Sequence, residues 1–209
     1  PYRVEKELAA GRVVIVAGFQ GMSRKREITT LGRGGSDTTA LALAAALDAS
    51  RCVIFSDVDG VLSADPRTVQ EAHLIDRLAH GELEALARAG AGVLNADAVA
   101  WARRNEIEFE AARTGAEHPG TLIVTEAPHS GVRAITSSQE RLFVAAPILP
   151  GLLLEAAPFL VHLSGDGLLL NSANLHGSWP ADARPCRTVS AIGDGIERDP
   201  SVLGRFTEL

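Results

Sequence analysis

The densest chemistry in this 209-residue chain lies in one run, Thr29-Thr30-Leu31-Gly32-Arg33-Gly34-Gly35-Ser36-Asp37-Thr38-Thr39-Ala40, which leads into an apolar segment ending at Leu47. Glycines at 32, 34 and 35 let the backbone take positive φ and approach a ligand closely. Ser36 stands where a helix N-cap belongs and Asp37 falls in the expected first turn, where side-chain oxygens accept from unpaired N–H groups. Arg33 adds a planar fork of donors to the partial positive charge of a helix N-terminus. The combination suits a small anion, a carboxylate or a phosphate. A loop that does no more than cap a helix would share much of this composition.

A second run, Ser56-Asp57-Val58-Asp59-Gly60-Val61-Leu62-Ser63-Ala64-Asp65-Pro66-Arg67, follows the apolar residues Cys52 to Phe55. Its plain reading is a turn-rich connection in which Asp-Pro-Arg starts a helix.

The elements that must position these runs are legible in outline. Arg12 to Ala17 is a β-branched run between Gly11 and Gly18 and predicts a buried strand. Gly18 to Gly21 forms a loop at its carboxyl end, the edge where open α/β sheets bind ligands. Met22 to Glu27 reads as an exposed loop, Ala40 to Leu47 as a helix and Cys52 to Phe55 as a second strand. Strand, helix, strand in this spacing is a βαβ unit, so the sheet is expected to be mainly parallel with flanking helices. Helical spacing recurs over Glu82 to Ala89 and Ala96 to Arg104, and Ile107 to Ala112 alternates as a strand. Pro119-Gly120 reads as a boundary, giving a domain over 1–120 and a second over 121–209. In the second part Arg141 to Ala146, Gly167 to Asn171 and Thr188 to Ile192 read as strands. Leu152 to Val161 and Ser201 to Glu208 read as helices, a small α+β order.

Composition narrows the function classes. Apolar residues are 46% and charged residues 22%, ordinary for a globular chain. The net charge of −6 argues against a nucleic-acid surface. No apolar run approaches the about 20 residues of a membrane span, and no signal-peptide pattern is present. Cys52 and Cys186 give neither metal spacing nor a disulfide framework, which fits free thiols in a reducing cytoplasm. The chain opens at Pro1 with no initiator methionine, and residues 1–10 read as the end of a preceding element, which predicts a fragment or a processed product.

The spelling of the first run closely resembles the signature of the aspartokinases, within the wider amino acid kinase family. The second run resembles that family's nucleotide-binding segment, Thr-Asp-Val-x-Gly-Val-Tyr-Thr-x-Asp-Pro-Arg. His118-Pro119-Gly120-Thr121-Leu122-Ile123 is similar to its exit from the kinase domain. The resemblance implies transfer of the γ-phosphoryl group of ATP, assisted by Mg2+, to the side-chain carboxylate of L-aspartate. It implies that Arg33, Gly34, Gly35 and Ser36 hold the substrate, and that Arg33 and Asp37 serve catalysis. Ser56, Asp57, Leu62, Asp65, Pro66 and Arg67 would form the nucleotide site, with no dedicated metal ligands. Residues 121–209 would then be an incomplete ACT-like, ferredoxin-like regulatory region. Val189 to Val202 is similar to the first strand and helix start of such a module. A lysine or threonine effector and a homo-oligomer formed through that region are further implications, with no nucleic-acid or membrane partner and a cytoplasmic location.

This sequence departs from the pattern at several points. The family's Lys-x-Gly-Gly-Thr segment and a glutamate that accompanies aspartate binding are absent from these residues. Gly90-Ala91-Gly92-Val93-Leu94-Asn95-Ala96 replaces Gly-Ala-Lys-Val-Leu-His-Pro, so Gly92 stands where a phosphate-contacting lysine is expected. Leu62 replaces a tyrosine. These departures leave two other readings: a catalytically silent relative that binds an amino acid or a partner, and a haloacid-dehalogenase-like phosphatase. The phosphatase reading rests on Ile54 to Val61, with Asp57 as nucleophile and Asp59 as acid/base, and on Gly193-Asp194-Gly195. It lacks a lysine after Lys25 and leaves Thr29 to Ala40 unexplained. The six histidines are scattered without ligand spacing and read as surface or loop residues. Trp101 reads as core and Arg103-Arg104 as a solvated helix end.

Overall fold

The computed structural model describes residues 1–32, 34–127, 131–145, 160–164, 167–171 and 183–193. Helix α1 (Tyr2–Ala9) is followed by a short antiparallel hairpin of β1 (Gln20–Met22) and β2 (Ile28–Thr30). Next come α2 (Gly35–Ala46), β3 (Val53–Ser56), β4 (Arg77–Ala79), α3 (His80–Ala89), α4 (Ala96–Arg104), β5 (Phe109–Arg113) and β6 (Thr121–Val124). Strands β3 to β6 form one sheet in the order β3-β5-β6-β4. The β3–β5 and β4–β6 pairs are parallel and the β5–β6 pair is antiparallel, so the sheet is mixed and mostly parallel as expected, although the strand expected to open the βαβ unit at Arg12 to Ala17 takes no part in it.

One core unites these elements. Leu83 and Leu86 of α3 lie one turn apart and are buried, and Ala98, Val99 and Ala102 do the same on α4. They join Leu41 of α2, Ile54 of β3, Leu78 of β4, Phe109 of β5 and Ile123 of β6. Each fully buried leucine or isoleucine stabilises the fold by about 1.5–3 kcal/mol through loss of apolar surface to water. Trp101 packs half-buried against this cluster. His80, expected at the surface, is instead fully buried, its Nε2 2.8 Å from the carbonyl oxygen of Ile107. A histidine can lie in a core when its ring nitrogen finds a partner.

Backbone approach fixes where β6 sits. A Cβ on Gly120 would fall 1.9 Å from the carbonyl oxygen of Ala111, so only glycine fits there. The buried Thr121 then accepts at Oγ1 from Val61 N at 2.8 Å. This sheet therefore runs past the Pro119-Gly120 punctuation, because β6 is inserted between β5 and β4.

Two local expectations differ from the structure and a third holds. Arg12 to Ala17 forms no strand; Val13 and Ile15 are 93% and 94% exposed. A β-branched run becomes a strand only with a ladder partner, and none of the described residues pairs with it. The exposed loop expected over Met22 to Glu27 is the turn of the β1–β2 hairpin, with Met22 ending β1, and is closed by Ser23 N donating to the Glu27 carbonyl at 2.9 Å. The N-cap of α2 is Gly34, with φ +72°, and Ser36 lies inside the first turn without a capping bond. The loop turns left-handed at Gly34, so the helix begins two residues earlier than a serine cap would set it.

The remaining described strands, β7 (Ala134–Ala145), β8 (Leu160–Ser164), β9 (Gly167–Asn171) and β10 (Arg184–Ile192), make a second sheet in the order β10-β7-β9-β8. All three pairings are antiparallel. The expected strands at 141–146, 167–171 and 188–192 fall on β7, β9 and β10, residue 146 lying outside the described residues. Residues 160–161, expected to end a helix, open β8 instead. The rest of that helix, the helix over 201–208 and the Asp194-Gly195 part of the phosphatase-like run lie outside the described residues.

Candidate functional site

The glycine-rich run is built by two neighbours remote in sequence. Leu31 N donates to the Phe19 carbonyl at 3.0 Å, which carries β2 back alongside the Gly18–Gly21 loop. Phe19 N donates to Thr39 Oγ1 at 3.2 Å, and Thr39 in turn donates to the Gly35 carbonyl at 2.7 Å. Phe19 holds a left-handed φ of 69°, an uncommon state for an aromatic residue. A Cβ on Gly18 would sit 3.4 Å from Ser36 Cα, so this loop lies against the start of α2. Gly35 N donates to the Gly32 carbonyl at 3.1 Å, closing the turn that aims the first amides of α2 away from the helix body.

On the other side Gly34 packs against Asn95. Asn95 caps α4, its Oδ1 accepting from Asp97 N at 2.9 Å and Ala98 N at 3.2 Å. The two helices thus begin beside one another, and the partial positive charges of both termini add locally. Ser36 is exposed, and its Oγ lies 3.4 Å from Asp37 Oδ1. Arg33 lies outside the described residues.

The second run leaves β3 and is tied down by ion pairs and turns. Ser56 Oγ accepts from Val58 N at 3.3 Å, and the Ser56 carbonyl accepts from Thr114 N at 2.9 Å. Asp57 is exposed. Asp59 accepts from Arg113 Nε at 2.6 Å, with His118 Nε2 at 3.8 Å. Leu62 is half-buried and bridges to Leu74. Asp65 and Arg67 pair side by side: Arg67 Nε donates to Oδ1 at 3.0 Å and Nη2 to Oδ2 at 2.8 Å, and Arg67 N adds a bond of 2.9 Å to Oδ1. Those bonds lower the Asp65 carboxyl to about 2. Pro66 is exposed at the tip.

The sequence profile of the amino acid kinase family matches residues 1–109. The chain belongs to the amino acid kinase family. It is similar to the aspartate kinase Ask_LysC of Stutzerimonas stutzeri, 46% identical over 135 residues, which are 65% of this chain and 33% of that protein. Among solved structures it resembles aspartokinase III of E. coli in complex with lysine and aspartate, with a TM-score of 0.74 at 28% identity, covering 97% of this chain and 54% of that one. The same enzyme in complex with aspartate and ADP superposes with a TM-score of 0.66 at 27% identity, over 91% of this chain and 48% of that one. The chain therefore spans about a third of the curated relative's length and about half of the solved chains.

Family membership disposes of the phosphatase resemblance, a chance match of a short run in a different fold. Asp59, which that reading needs as an acid/base, is engaged by Arg113. Several positioning residues carry no local sequence signal. Arg113 lies 54 residues from Asp59, and Thr121 lies 60 residues from Val61. Phe19 and Thr39 reveal their link only when the hairpin folds back. Asn95 sits at a recognisable motif position, but its contact with Gly34 is tertiary.

Proposed function

We propose that this chain carries the substrate loop and nucleotide segment of an aspartate kinase. The reaction is phosphoryl transfer from ATP to the side-chain carboxylate of L-aspartate. A carboxylate oxygen forms the new bond to the γ-phosphorus, the bond to the bridging oxygen breaks, and its electron pair leaves with ADP. Such transfer depends on positioning and on charge stabilisation rather than on protein nucleophiles. The observation that carries the reading is the Gly32–Asp37 loop, set at the paired starts of α2 and α4. Support comes from the aspartate kinase relative at 46% identity and from solved relatives described as complexes with aspartate, lysine and ADP.

In this reading Arg33 pairs with a substrate carboxylate through two N–H bonds. Gly34 and Ser36 present backbone amides to it, Gly35, whose own amide closes the turn onto the Gly32 carbonyl, lets the backbone come close, and Asp37 helps organise the transferring group. Ser56, Asp57 and Leu62 lie against the nucleoside, and the Asp65-Pro66-Arg67 tip meets the phosphates. α2 and β3 are successive elements. A helix running antiparallel to the strand that follows it brings its N-terminus to that strand's carboxyl edge, where both runs would meet. Magnesium takes mainly water and phosphate oxygens with one or two carboxylates, which suits an exposed Asp57 and needs no three-ligand cluster. Bound with ATP, it would neutralise phosphate charge.

The second sheet is read as the ACT-like regulatory region that the sequence assigns to residues 121–209, less β6, which belongs to the first sheet, with lysine or threonine as effector and homo-oligomer formation through it. Its strand order fits a split βαβ arrangement. A cytoplasmic location follows from this role. Among the described residues no helix is long and apolar enough to cross a membrane.

Gly92 favours a second reading, a silent relative that binds an amino acid or a partner without transfer. It is exposed, with no atom within 4 Å of where a Cβ would stand and no lysine ammonium to offer a phosphate. Calorimetric titration with aspartate tests the main reading. Arg33→Ala should abolish binding while circular dichroism stays unchanged, and equal affinity in both proteins would remove Arg33 from the site. A coupled ADP-release assay on the wild type then separates enzyme from silent binder.

A further inference from the structure

Outside both runs, an open cleft of about 420 Å³ lies where the first sheet meets the second. It is lined by His73, Ile75 and Asp76 ahead of β4, by Arg77 at the start of β4, and by Val132 and Arg133 just before β7. Arg133 N donates to the Ile192 carbonyl at 2.8 Å, and its guanidinium donates through Nη2 to the carbonyl oxygen of Arg77. That bond lays the Arg133 side chain across the junction, into the cleft that Arg77 also lines. The Arg77 and Asp76 side chains have no hydrogen-bond or ion-pair partner among the described residues.

Two guanidinium groups in one cleft repel each other, and Asp76 offsets only one of them. This concentration of positive charge occurs in a chain of net charge −6. Guanidinium forks match carboxylate and phosphate oxygens in geometry as well as charge. The volume falls in the range of small-molecule sites, and Ile75 and Val132 supply an apolar wall. We propose that this cleft binds a small oxyanion, a carboxylate or a phosphate group, that bridges Arg77 and Arg133. The bound anion pins the second sheet to the first, because Arg77 belongs to β4 and Arg133 leads into β7. The proposal is independent of aspartate kinase activity and rests on the junction alone.

The test is thermal melting of the whole chain in inorganic phosphate, in malonate and in sodium chloride at matched ionic strength. Phosphate or malonate should raise the melting temperature saturably above chloride, since a ligand that binds only the folded state stabilises it by mass action. A shift with phosphate alone assigns a phosphorylated ligand, with malonate alone a carboxylate, and with both an oxyanion of either kind. Arg77→Gln should melt as the wild type does in chloride, because its side chain is unpartnered, and should weaken the anion effect at least tenfold. Equal melting in all three salts would overturn the proposal. So would a phosphate or malonate shift that persists in Arg77→Gln, since the anion would then sit elsewhere, such as at the glycine-rich loop.

Discussion

Gly34 and Asn95 touch so closely that a Cβ on Gly34 would lie 2.1 Å from Asn95 Cβ. The contact holds the beginning of α2 against the cap of α4 and places the Gly90–Asn95 loop beside the glycine-rich run. Gly34 also requires its left-handed φ of +72°. Gly34→Ala should therefore combine backbone strain with overpacking and cost about 2–4 kcal/mol. The expected result is a lower urea midpoint with an unchanged slope. A midpoint equal to wild type would show that the two helix starts separate freely.

Gly92 is the opposite case. It has no positive φ and open space around it, so a side chain there is unstrained. Gly92→Lys should leave the melting temperature unchanged or slightly raised, as reduced unfolded-state entropy contributes about 0.4–1 kcal/mol. In the aspartate kinase reading it should also tighten ATP binding, and the gain should shrink as salt rises. Calorimetric titration at low and high salt reads both effects. A stable variant with no gain in affinity at low salt would favour the silent relative.

Glu110 links β5 to the Pro119-Gly120 turn. Its Oε1 accepts from the buried Gly120 N at 2.9 Å, and Arg51 Nε donates to Oε2 at 3.2 Å. Glu110→Ala leaves that N–H unsatisfied and should cost about 1–3 kcal/mol. The pair with Arg51 adds little, because that guanidinium is largely solvated. Arg51, and then the Gly120 amide, lower the Glu110 carboxyl below its ordinary value of 4.5. A lowered folded-state value means that the contribution is complete above 4.5 and is lost as the pH falls through the folded-state value. Melting curves from neutral pH into that acidic range should show this loss in the wild type and a smaller one in Glu110→Gln.

Asp65 offers a direct reading of the nucleotide run. Its carboxyl is held at about 2 by the side-chain bonds from Arg67. Carbon-detected NMR should find Asp65 still charged at about pH 3, and Arg67→Ala should return it towards 3.8. With Asp65 ionised, Arg67 is already paired before any phosphate arrives. Nucleotide binding should therefore perturb the Asp65 resonance, and an Asp65 signal indifferent to both ADP and Arg67→Ala would exclude the tip from the site.

Much of the candidate site was legible in the order of residues. Glycines at 32, 34 and 35 ahead of an apolar helix are local features, and local backbone freedom is written residue by residue. The helices at α3 and α4 follow from apolar spacing, which needs no knowledge of the partner. The family resemblance likewise rests on contiguous runs, which is why residues 29–40 and 56–67 declared themselves.

What depends on two distant segments meeting was decided only by the tertiary structure. Gly34 became the cap of α2 where Asn95 packs against it and the Phe19 turn closes on Gly35, whereas the sequence alone favours Ser36. The run from Val13 to Val16 has every intrinsic preference of a strand, yet it stays exposed because strand formation requires a paired neighbour. Gly120 and Thr121 look like a domain exit until the approach to Ala111 and Val61 draws β6 into the first sheet. The convergence of Arg77 and Arg133 has no sequence trace at all, since charge carries no address until packing brings two sheets together.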